Sequence, residues 1–339
     1  MPITLAEAKN NAQEDLDVAV IDEFRKESVI LDTLEFDTAV NPAGGGATLE
    51  YGYRRLVTQP TAAFRELNQE YTPQNVTTQK YSIELAVLGG SFEVDRVLAR
   101  LGPAASGAVA LNMAQKIKAT RTRFQDAVIN GDTGSGTEPD APHGFDGLDA
   151  ALAGSDTEFR LDTVTDWTDF DTDDRASHRA LDDLDEFLSL LDGTPTLLLG
   201  NRVLLARVRA MVRRSGMYTR DPVEDLLGPG GRPITRESYG GVVFADPGDR
   251  AGATTPIIPI ETRTIDDTST TGLTDLYAVR IAMDGFHGVT TSDGQLVRTW
   301  LPDFESSGAV KKGEVELGPV GVALKSTKAA AVFRNIKVR

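Results

Sequence analysis

The stretch "AFRELNQEYTPQNVTTQKYSIEL", residues 63 to 85, decides the fold. It begins as a polar run with turn signals and ends as a strand in which apolar residues alternate with polar ones. Upstream, "TLEYGYRRL", residues 48 to 56, has the character of a second strand, and the two together predict a long hairpin. Three apolar side chains are spaced through the polar residues that join the strands: Phe64, Leu67 and Tyr71.

The predicted hairpin needs a surface to rest on. An isolated two-stranded arm is only marginally stable in water, and apolar residues near its tip favour contact with another surface. A neighbouring subunit is the natural candidate. On the return strand, residues 76 to 88, the alternation predicts that one face carries Tyr81, Ile83, Leu85 and Val87.

Length and composition indicate a globular protein with a core of its own. The chain has 339 residues, 40% of them hydrophobic and 25% charged, which allows one large domain or two ordinary ones. No apolar run approaches the roughly eighteen residues of a membrane helix, and the N-terminus lacks the basic and apolar regions of a signal peptide. We therefore expect the chain to stay in the cytoplasm where it is made.

The sequence lacks the motifs of common enzyme classes. There is no cysteine, which removes thiolate nucleophiles and thiolate metal sites. The three histidines, His143, His178 and His287, stand at no metal-ligand spacing from one another. Walker A, GxGxxG and GxSxG motifs do not occur either. The sequence therefore predicts no cofactor, and none of these motifs indicates a catalytic site.

Judged by composition, the acidic cluster between residues 162 and 174 is the only candidate for a metal site in the sequence. Asp169, Asp171 and Asp173 fit the first, third and fifth positions of an EF-hand loop. The sixth and twelfth positions lack the glycine and glutamate that this loop needs, so a solvated helix start is the favoured interpretation. A metal-dependent acidic hydrolase built on the three aspartates is the alternative from another functional class.

The chain is strongly acidic, with a formal net charge of -16. This charge argues against tight binding of nucleic acid, because affinity for phosphate grows with the number of cationic contacts. The charge suits a surface that faces nucleic acid without binding it tightly. Two explanations of the charge stay open: a halophilic host, in which high salt screens self-repulsion, and an ordinary acidic protein from a high-GC genome.

Helices and strands follow one another without regular βαβ alternation, which indicates the α+β class. Residues 103 to 130 carry the longest helical pattern, about 42 Å at 1.5 Å per residue. An acidic helix within residues 168 to 193, a buried strand at 194 to 201 and a helix capped by Asn201 follow. The N-terminal residues carry a thin apolar stripe, which is typical of a helix lying along a surface.

Taken in order, these parts resemble the major capsid proteins of tailed phages and related archaeal viruses, which share the Hong Kong 97-type fold. The resemblance spans essentially the whole chain and rests on the order and spacing of short pieces. These pieces are "FRELNQEYTP", "LGGSFEVDRVLA", "VINGD" followed by "GFDGL", "TLLLGNRVLLARVRAM" and "LYAVRIAMDGFHGV".

The resemblance implies a division of the chain into four parts. An N-terminal arm would take residues 1 to 40, and an extended loop that lies across the adjacent subunit would take residues 41 to 88. Residues 89 to 132 together with 286 to 339 would form a peripheral domain around the long helix. Residues 133 to 285 would form an axial domain at the centre of each ring.

The resemblance also implies a function. Such a chain self-assembles into pentamers and hexamers of an icosahedral shell, the virion capsid, which is assembled in the host cytoplasm around double-stranded DNA. Further partners would be a portal protein, scaffold or decoration proteins, and weakly contacted DNA, with no membrane. From their position in the hairpin, six residues are predicted to contact a neighbouring subunit: Arg54, Arg55, Phe64, Arg65, Leu67 and Tyr71.

Two departures from the family pattern bear on assembly. Some members weld the shell through a lysine of the extended loop, but here the loop tip has no lysine and Lys80 lies on the return strand. We therefore expect a non-covalent shell. The long N-terminal scaffolding extension of some members is also missing, which leaves a separate scaffold or prior cleavage open. The nearest alternative function is an encapsulin-like nanocompartment shell of the same fold, filled with an enzyme.

Overall fold

The computed structural model describes residues 29–40, 49–97, 103–134, 143–168, 175–214, 219–227, 233–239, 241–291 and 296–339. The predicted N-terminal helix and the metal-site candidates Asp169, Asp171 and Asp173 lie outside these ranges. The α-helices of the described residues are α1 Val29–Thr33, α2 Pro103–Asn130, α3 Leu148–Leu152, α4 Ala176–Ser189 and α5 Arg202–Arg214.

The strands are numbered in chain order. The first eight are β1 Phe36–Val40, β2 Glu50–Thr58, β3 Thr77–Glu84, β4 Ala86–Asp95, β5 Glu158–Phe159, β6 Thr165–Asp166, β7 Leu197–Gly200 and β8 Thr219–Leu227. The others are β9 Pro233–Tyr239, β10 Val242–Ala245, β11 Glu261–Ile265, β12 Thr268–Val279, β13 Phe286–Thr291, β14 Val297–Trp300, β15 Val310–Leu324 and β16 Ala330–Lys337.

Helix α2 has the bounds that the sequence predicts, Pro103 to Asn130. Its C-terminal half packs against β4 and β15, and Phe124 and Val128 are fully buried there. No helix of the described ranges is long and apolar enough to cross a membrane. The predicted long helix is therefore confirmed, and it packs on a sheet.

That sheet, sheet 1, has five strands within the described residues, in the order β1-β13-β15-β14, with β4 also paired to β15. Strand β15 is long enough to serve three neighbours. Its first half pairs with β4 on one side and β14 on the other, and its second half pairs with β13. Sheet 1 therefore joins the chain before α2 to the chain near residue 320.

Sheet 2 has nine strands within the described residues, in the order β5-β16-β12-β7-β10-β9-β8, with β6 on β16 and β11 on β12. Successive side chains of a strand point to opposite faces. In β7, Leu197 and Leu199 therefore face the core shared with sheet 1 and α2, while Leu198 faces the helices α4 and α5. Because both faces are covered, β7 reads as an unbroken apolar run.

The last strand lies in sheet 2, although the strands just before it lie in sheet 1. Within the predicted peripheral part, residues 286 to 339, strands β13 to β15 belong to sheet 1, whereas β16 pairs with β12, β5 and β6 in sheet 2. Strand β16 carries apolar residues on both faces. Val332 packs into the core shared with sheet 1 and α2, and Phe333 packs into the core beneath α4 and α5.

A buried ionic network holds β16 in place. The Arg334 guanidinium forms ion pairs with Asp149, with Glu158 at 2.9 Å and with Asp275 at 3.2 Å. Arg263 also pairs with Asp275, at 2.7 Å. These carboxylates come from α3, β5 and β12, so one arginine ties three elements to the strand.

The C-terminal end of α2 and the described residues 143 to 147 lie in close backbone contact. A Cβ on Gly131 would lie 2.3 Å from the Phe145 carbonyl oxygen and 2.5 Å from that of Ala127. The Gly147 N–H donates a 2.7 Å hydrogen bond to the Gly131 carbonyl. The glycines of this link therefore allow the backbone of residues 143 to 147 to lie directly against the end of the helix.

Candidate assembly surface

Strands β2 and β3 pair antiparallel from Glu50 opposite Glu84 to Thr58 opposite Thr77, which confirms the predicted hairpin. We call these strands and the residues between them the extended hairpin. Leu85 closes it, because its N–H donates to the Leu49 carbonyl at 2.8 Å. We call its two ends the root and the tip. The root, residues 50 to 55 and 81 to 85, contacts the rest of the chain, whereas the tip, residues 56 to 80, is exposed.

The root packs on sheet 1 through one face of each strand. On β2 this face carries Tyr51 and Tyr53, and on β3 it carries Ile83. They meet Val289 of β13 and Ala323 of β15, both fully buried. The two-residue alternation along β2 therefore decides which side of the hairpin rests on the body.

Arg55 clamps the root. Its guanidinium lies over the Tyr81 ring, 4.4 Å from the centroid, and Nε donates to the Lys325 carbonyl at 2.9 Å. A terminal nitrogen donates to the Leu324 carbonyl as well, and the Tyr53 hydroxyl donates to the same oxygen at 3.1 Å. These bonds satisfy the carbonyls at the end of β15.

A second contact joins the root to β1. The Tyr51 hydroxyl donates a 2.7 Å hydrogen bond to an Asp37 carboxylate oxygen. Burial raises the pKa of Tyr51, and the hydrogen bond to Asp37 raises it further. Burial also raises the pKa of Tyr53, against the lowering effect of Arg55. Both tyrosines are therefore neutral donors at physiological pH.

The return strand differs from its prediction at Leu85. Residues 76 to 88 were expected to form one strand with Val87 on the apolar face. Pairing with β2 ends before Leu85, and β4 then pairs with β15, where Leu88 lies opposite Leu317. The change of partner changes the inward face, so Ala86 and Leu88 pack on the core while Val87 is 56% exposed.

The tip of the hairpin stands away from the body. Every residue from Leu56 to Lys80 is exposed. Six large apolar side chains in this range are exposed, and the three most exposed are Phe64, Leu67 and Tyr71, at 107%, 89% and 64%. A group of exposed apolar side chains on one short loop is typical of an interaction site.

The tip nevertheless has a defined shape. The Thr61 N–H and the Gln74 side chain hydrogen-bond across the loop at 2.7 Å, and the Thr58 and Thr77 hydroxyls meet at 2.7 Å. Arg65 donates to the Gln69 carbonyl at 3.1 Å. The loop is thus held by its own polar groups, and its apolar side chains are left for another surface.

The six residues predicted to contact a neighbour fall into two groups. Phe64, Arg65, Leu67 and Tyr71 lie on the exposed tip, and Arg54 is exposed on β2. Arg55 is half-buried and its contacts are within its own chain. The contact of all six with a neighbouring subunit stays a prediction.

Tyr51, Tyr53 and Tyr81, which build the root, were missed as functional residues. Their alternation with polar residues was visible in the sequence, but the strands that receive them lie more than 200 residues away. Lys80 lies on β3, opposite Arg54 and over Gly52.

In the described part of the chain, no group of three or more His, Asp or Glu side chains could hold a metal ion. The three histidines also differ in their exposure to solvent. His143 and His178 are exposed, whereas His287 is fully buried in β13.

Solved structures share this architecture along the full chain. The encapsulin of the holo-SrpI complex from Synechococcus elongatus PCC 7942 is 16% identical, with a TM-score of 0.58, covering 100% of this chain and 97% of that one. A capsid protein of a native GTA particle is 11% identical, with a TM-score of 0.56 and 97% of both chains covered. The capsid protein of cyanophage A-1(L) is 12% identical, with a TM-score of 0.55, covering 98% and 99%.

No protein-family model matches the sequence, and no curated protein matches it. The likeness is therefore one of structure, at identities that establish the fold alone. It confirms the resemblance seen in the sequence: the chain has the Hong Kong 97-type fold that is common to phage capsid proteins and an encapsulin.

Proposed function

We propose that this chain is the major capsid protein of a tailed virus, which self-assembles into pentamers and hexamers of an icosahedral shell around double-stranded DNA. The role is structural rather than catalytic. The observation that carries the proposal is the tip of the extended hairpin, where Phe64, Leu67 and Tyr71 are exposed on a loop that has its own shape. The shell-forming proteins of the same fold support it.

The tip supplies adhesion between subunits. Covering a large apolar side chain contributes about 1.5 to 3 kcal/mol, so three on each tip give a substantial contact. A contact between the tip of one subunit and the body of the next is heterologous, and such contacts close into rings when the rotation allows. The cationic Arg54 and Arg65 would add charge complementarity with a body whose net charge is strongly negative.

The remaining assignments belong to the same proposal. Residues 1 to 40 serve as the arm, the chain around α2 and sheet 1 as the peripheral domain, and the chain around sheet 2 as the axial domain. The shell is held without covalent links between subunits. Its acidic wall contacts DNA weakly, and portal, scaffold or decoration proteins complete the particle.

A second candidate function is favoured by one specific comparison. The SrpI encapsulin, itself a shell protein, has the same fold along the whole chain. The alternative is therefore a nanocompartment shell whose contents are an enzyme. It shares the mode of assembly with the first candidate and differs only in what the shell encloses.

Light scattering of the purified protein, followed by negative-stain microscopy, tests assembly. We expect megadalton shells or rings of five and six subunits. A stable monomer near 36.5 kDa over a range of salt concentrations, with and without a co-expressed scaffold, would contradict both candidates. The contents of particles from the native source then separate them, since nuclease-protected DNA supports the capsid and a co-purifying enzyme supports the nanocompartment.

A further inference from the structure

His287 is an unexplained buried polar group. Its side chain is 0% exposed, and neither ring nitrogen makes a hydrogen bond of normal geometry, although the backbone at Gly285 lies near enough to interact with it. Buried side-chain nitrogens nearly always have one, because an unpaired polar group in the interior is unfavourable by itself. An isolated imidazole inside the fold therefore calls for a reason beyond packing.

The residue lies where three segments of the chain meet. The Tyr51 ring of the hairpin root contacts the imidazole edge-on, with centroids 6.0 Å apart. Tyr51 in turn hydrogen-bonds Asp37 of β1, and the Lys325 ammonium, just after β15, lies 3.9 Å from Asp37 and 5.6 Å from the Tyr51 ring. The His287 imidazole is thus placed beneath the root, on the face of sheet 1 that the hairpin covers.

Burial and the charged groups around His287 disfavour its protonated form. Burial lowers the pKa of His287, and Lys325 lowers it further, while Asp37 and the backbone at Gly285 oppose this in part. Arg55 adds a further cation at the same root, and Asp37 already accepts from Tyr51 and attracts Lys325. A protonated His287 would therefore be a buried cation with no carboxylate of its own, supported by the backbone at Gly285.

We propose that His287 makes the seating of the extended hairpin on sheet 1 sensitive to pH. The root is held firmly while the imidazole is neutral, and it loosens when the imidazole binds a proton. Opening of the root exposes the ring to water and gives the proton a solvated place, so protons bind the opened form more tightly than the closed one.

The direction of the effect follows from linkage. The pKa of His287 in the closed form lies below its ordinary value of 6.5. Seating is therefore complete above that pH and weakens as the pH falls through it. At pH 5.5, one unit below the ordinary pKa, the closing equilibrium can fall by at most about tenfold. The inference does not depend on the proposed function, since it concerns one chain.

Amide exchange followed by mass spectrometry tests it on the full chain. We expect protection of β2 and β3, corrected for intrinsic exchange rates, to fall between about threefold and tenfold from pH 7.5 to 5.5. Strands β7 and β12 of sheet 2 should keep theirs. In His287→Gln the fall at β2 and β3 should be less than about twofold, whereas His143→Gln and His178→Gln, at exposed positions, should behave as the wild type.

His287→Phe keeps a ring beside Tyr51 and serves if the glutamine variant fails to fold. Three results would overturn the proposal: no pH-dependent loss in the wild type, the same loss in both His287 variants, or an equal loss in sheet 2. Exchange is measured on monomers and on particles alike, so a failure of assembly leaves the result intact.

Discussion

The guanidinium carbon of Arg55 lies 4.4 Å from the centroid of the Tyr81 ring, diagonally across the extended hairpin. The same side chain reaches two carbonyls at the end of β15. One residue therefore stiffens the hairpin and fastens it to the body.

We expect Arg55→Ala to loosen the root. Loss of the charged hydrogen bonds and of the stacked guanidinium should weaken seating by about 2 kcal/mol, roughly thirtyfold in amide-exchange protection of β2. Arg55→Lys should rescue little, because a lysine has no planar fork to stack and bond at once. The neighbouring Arg54→Ala, at an exposed position, is the matched control and should change protection by less than about twofold. Equal effects of Arg54→Ala and Arg55→Ala would contradict the clamp.

We expect the tip to matter for assembly and not for folding. Replacing Phe64, Leu67 and Tyr71 together by serine removes apolar area that is exposed in the single chain, so the thermal midpoint should move by no more than about 2 °C. Shells or rings should be lost in light scattering, because each lost contact contributes about 1.5 to 3 kcal/mol. Leu161→Ser, at a 51% exposed leucine outside the hairpin, is the control and should assemble normally. Intact particles from the triple variant would exclude the tip as the adhesive element.

The ionic network on β16 should be costly to break from one side. Arg334→Ala leaves Asp149, Glu158 and Asp275 without their shared cation, and we expect a loss of about 3 to 5 kcal/mol in the free energy of unfolding. Lys337→Ala removes an exposed pair with Asp166 on the same strand and should lose less than about 1 kcal/mol. Urea unfolding of both variants measures the difference. A loss below about 1 kcal/mol for Arg334→Ala would mean that the network contributes little.

The link after α2 provides a matched pair of glycines. In Gly131→Ala the new methyl group would meet backbone oxygens that cannot move independently, and we expect destabilisation of about 2 kcal/mol or more. In Gly134→Ala the nearest contact is a side-chain oxygen of Asp132 at 3.4 Å, so stability should change by less than about 0.5 kcal/mol. Thermal unfolding distinguishes the two. Similar midpoints would show that the link can shift to make room.

Tyr239 should make stability fall at alkaline pH. Burial and the hydrogen bond to Asp185 raise its pKa from 10 to about 12. Between these values the unfolded chain loses the phenolic proton and the folded chain keeps it, so stability is lost as the pH rises from 10 to 12. Tyr239→Phe should remove that part of the slope in urea unfolding, and because the group is half-exposed the effect should stay below about 1 kcal/mol. An unchanged slope would mean that the hydroxyl is not held in the folded state.

The sequence predicts local structure better than it predicts partners. The alternation of Tyr81 and Ile83 and the punctuation of α2 by Pro103 and Asn130 are local signals, and the hairpin and helix they predict are confirmed. Val87 was placed on the wrong face because the strand changes partners at Leu85, and no residue near it announces that change. The sheet to which β16 belongs could not be predicted for the same reason, since pairing with β12 and β5 depends on residues far away.

The tip and the root of the extended hairpin also differ in how far the sequence alone predicts them. Exposed apolar residues such as Phe64 could be predicted from their place in a hairpin. The burial of His287 could not be predicted from the sequence. Tyr51, which contacts its ring, lies hundreds of residues before it, and Lys325 lies tens of residues after it.

Because β16 is the last strand of the chain and belongs to sheet 2, this sheet can be completed only late in translation. Strand β5 can pair with β16 only after Val332, the partner of Glu158, has been made, and β12 lacks one of its three partner strands until then. At about 5 to 20 residues per second on the ribosome, β5 waits roughly ten to thirty-five seconds for its partner. A chain interrupted before β16 has no completed sheet 2, so an unfinished translation product offers no finished building block.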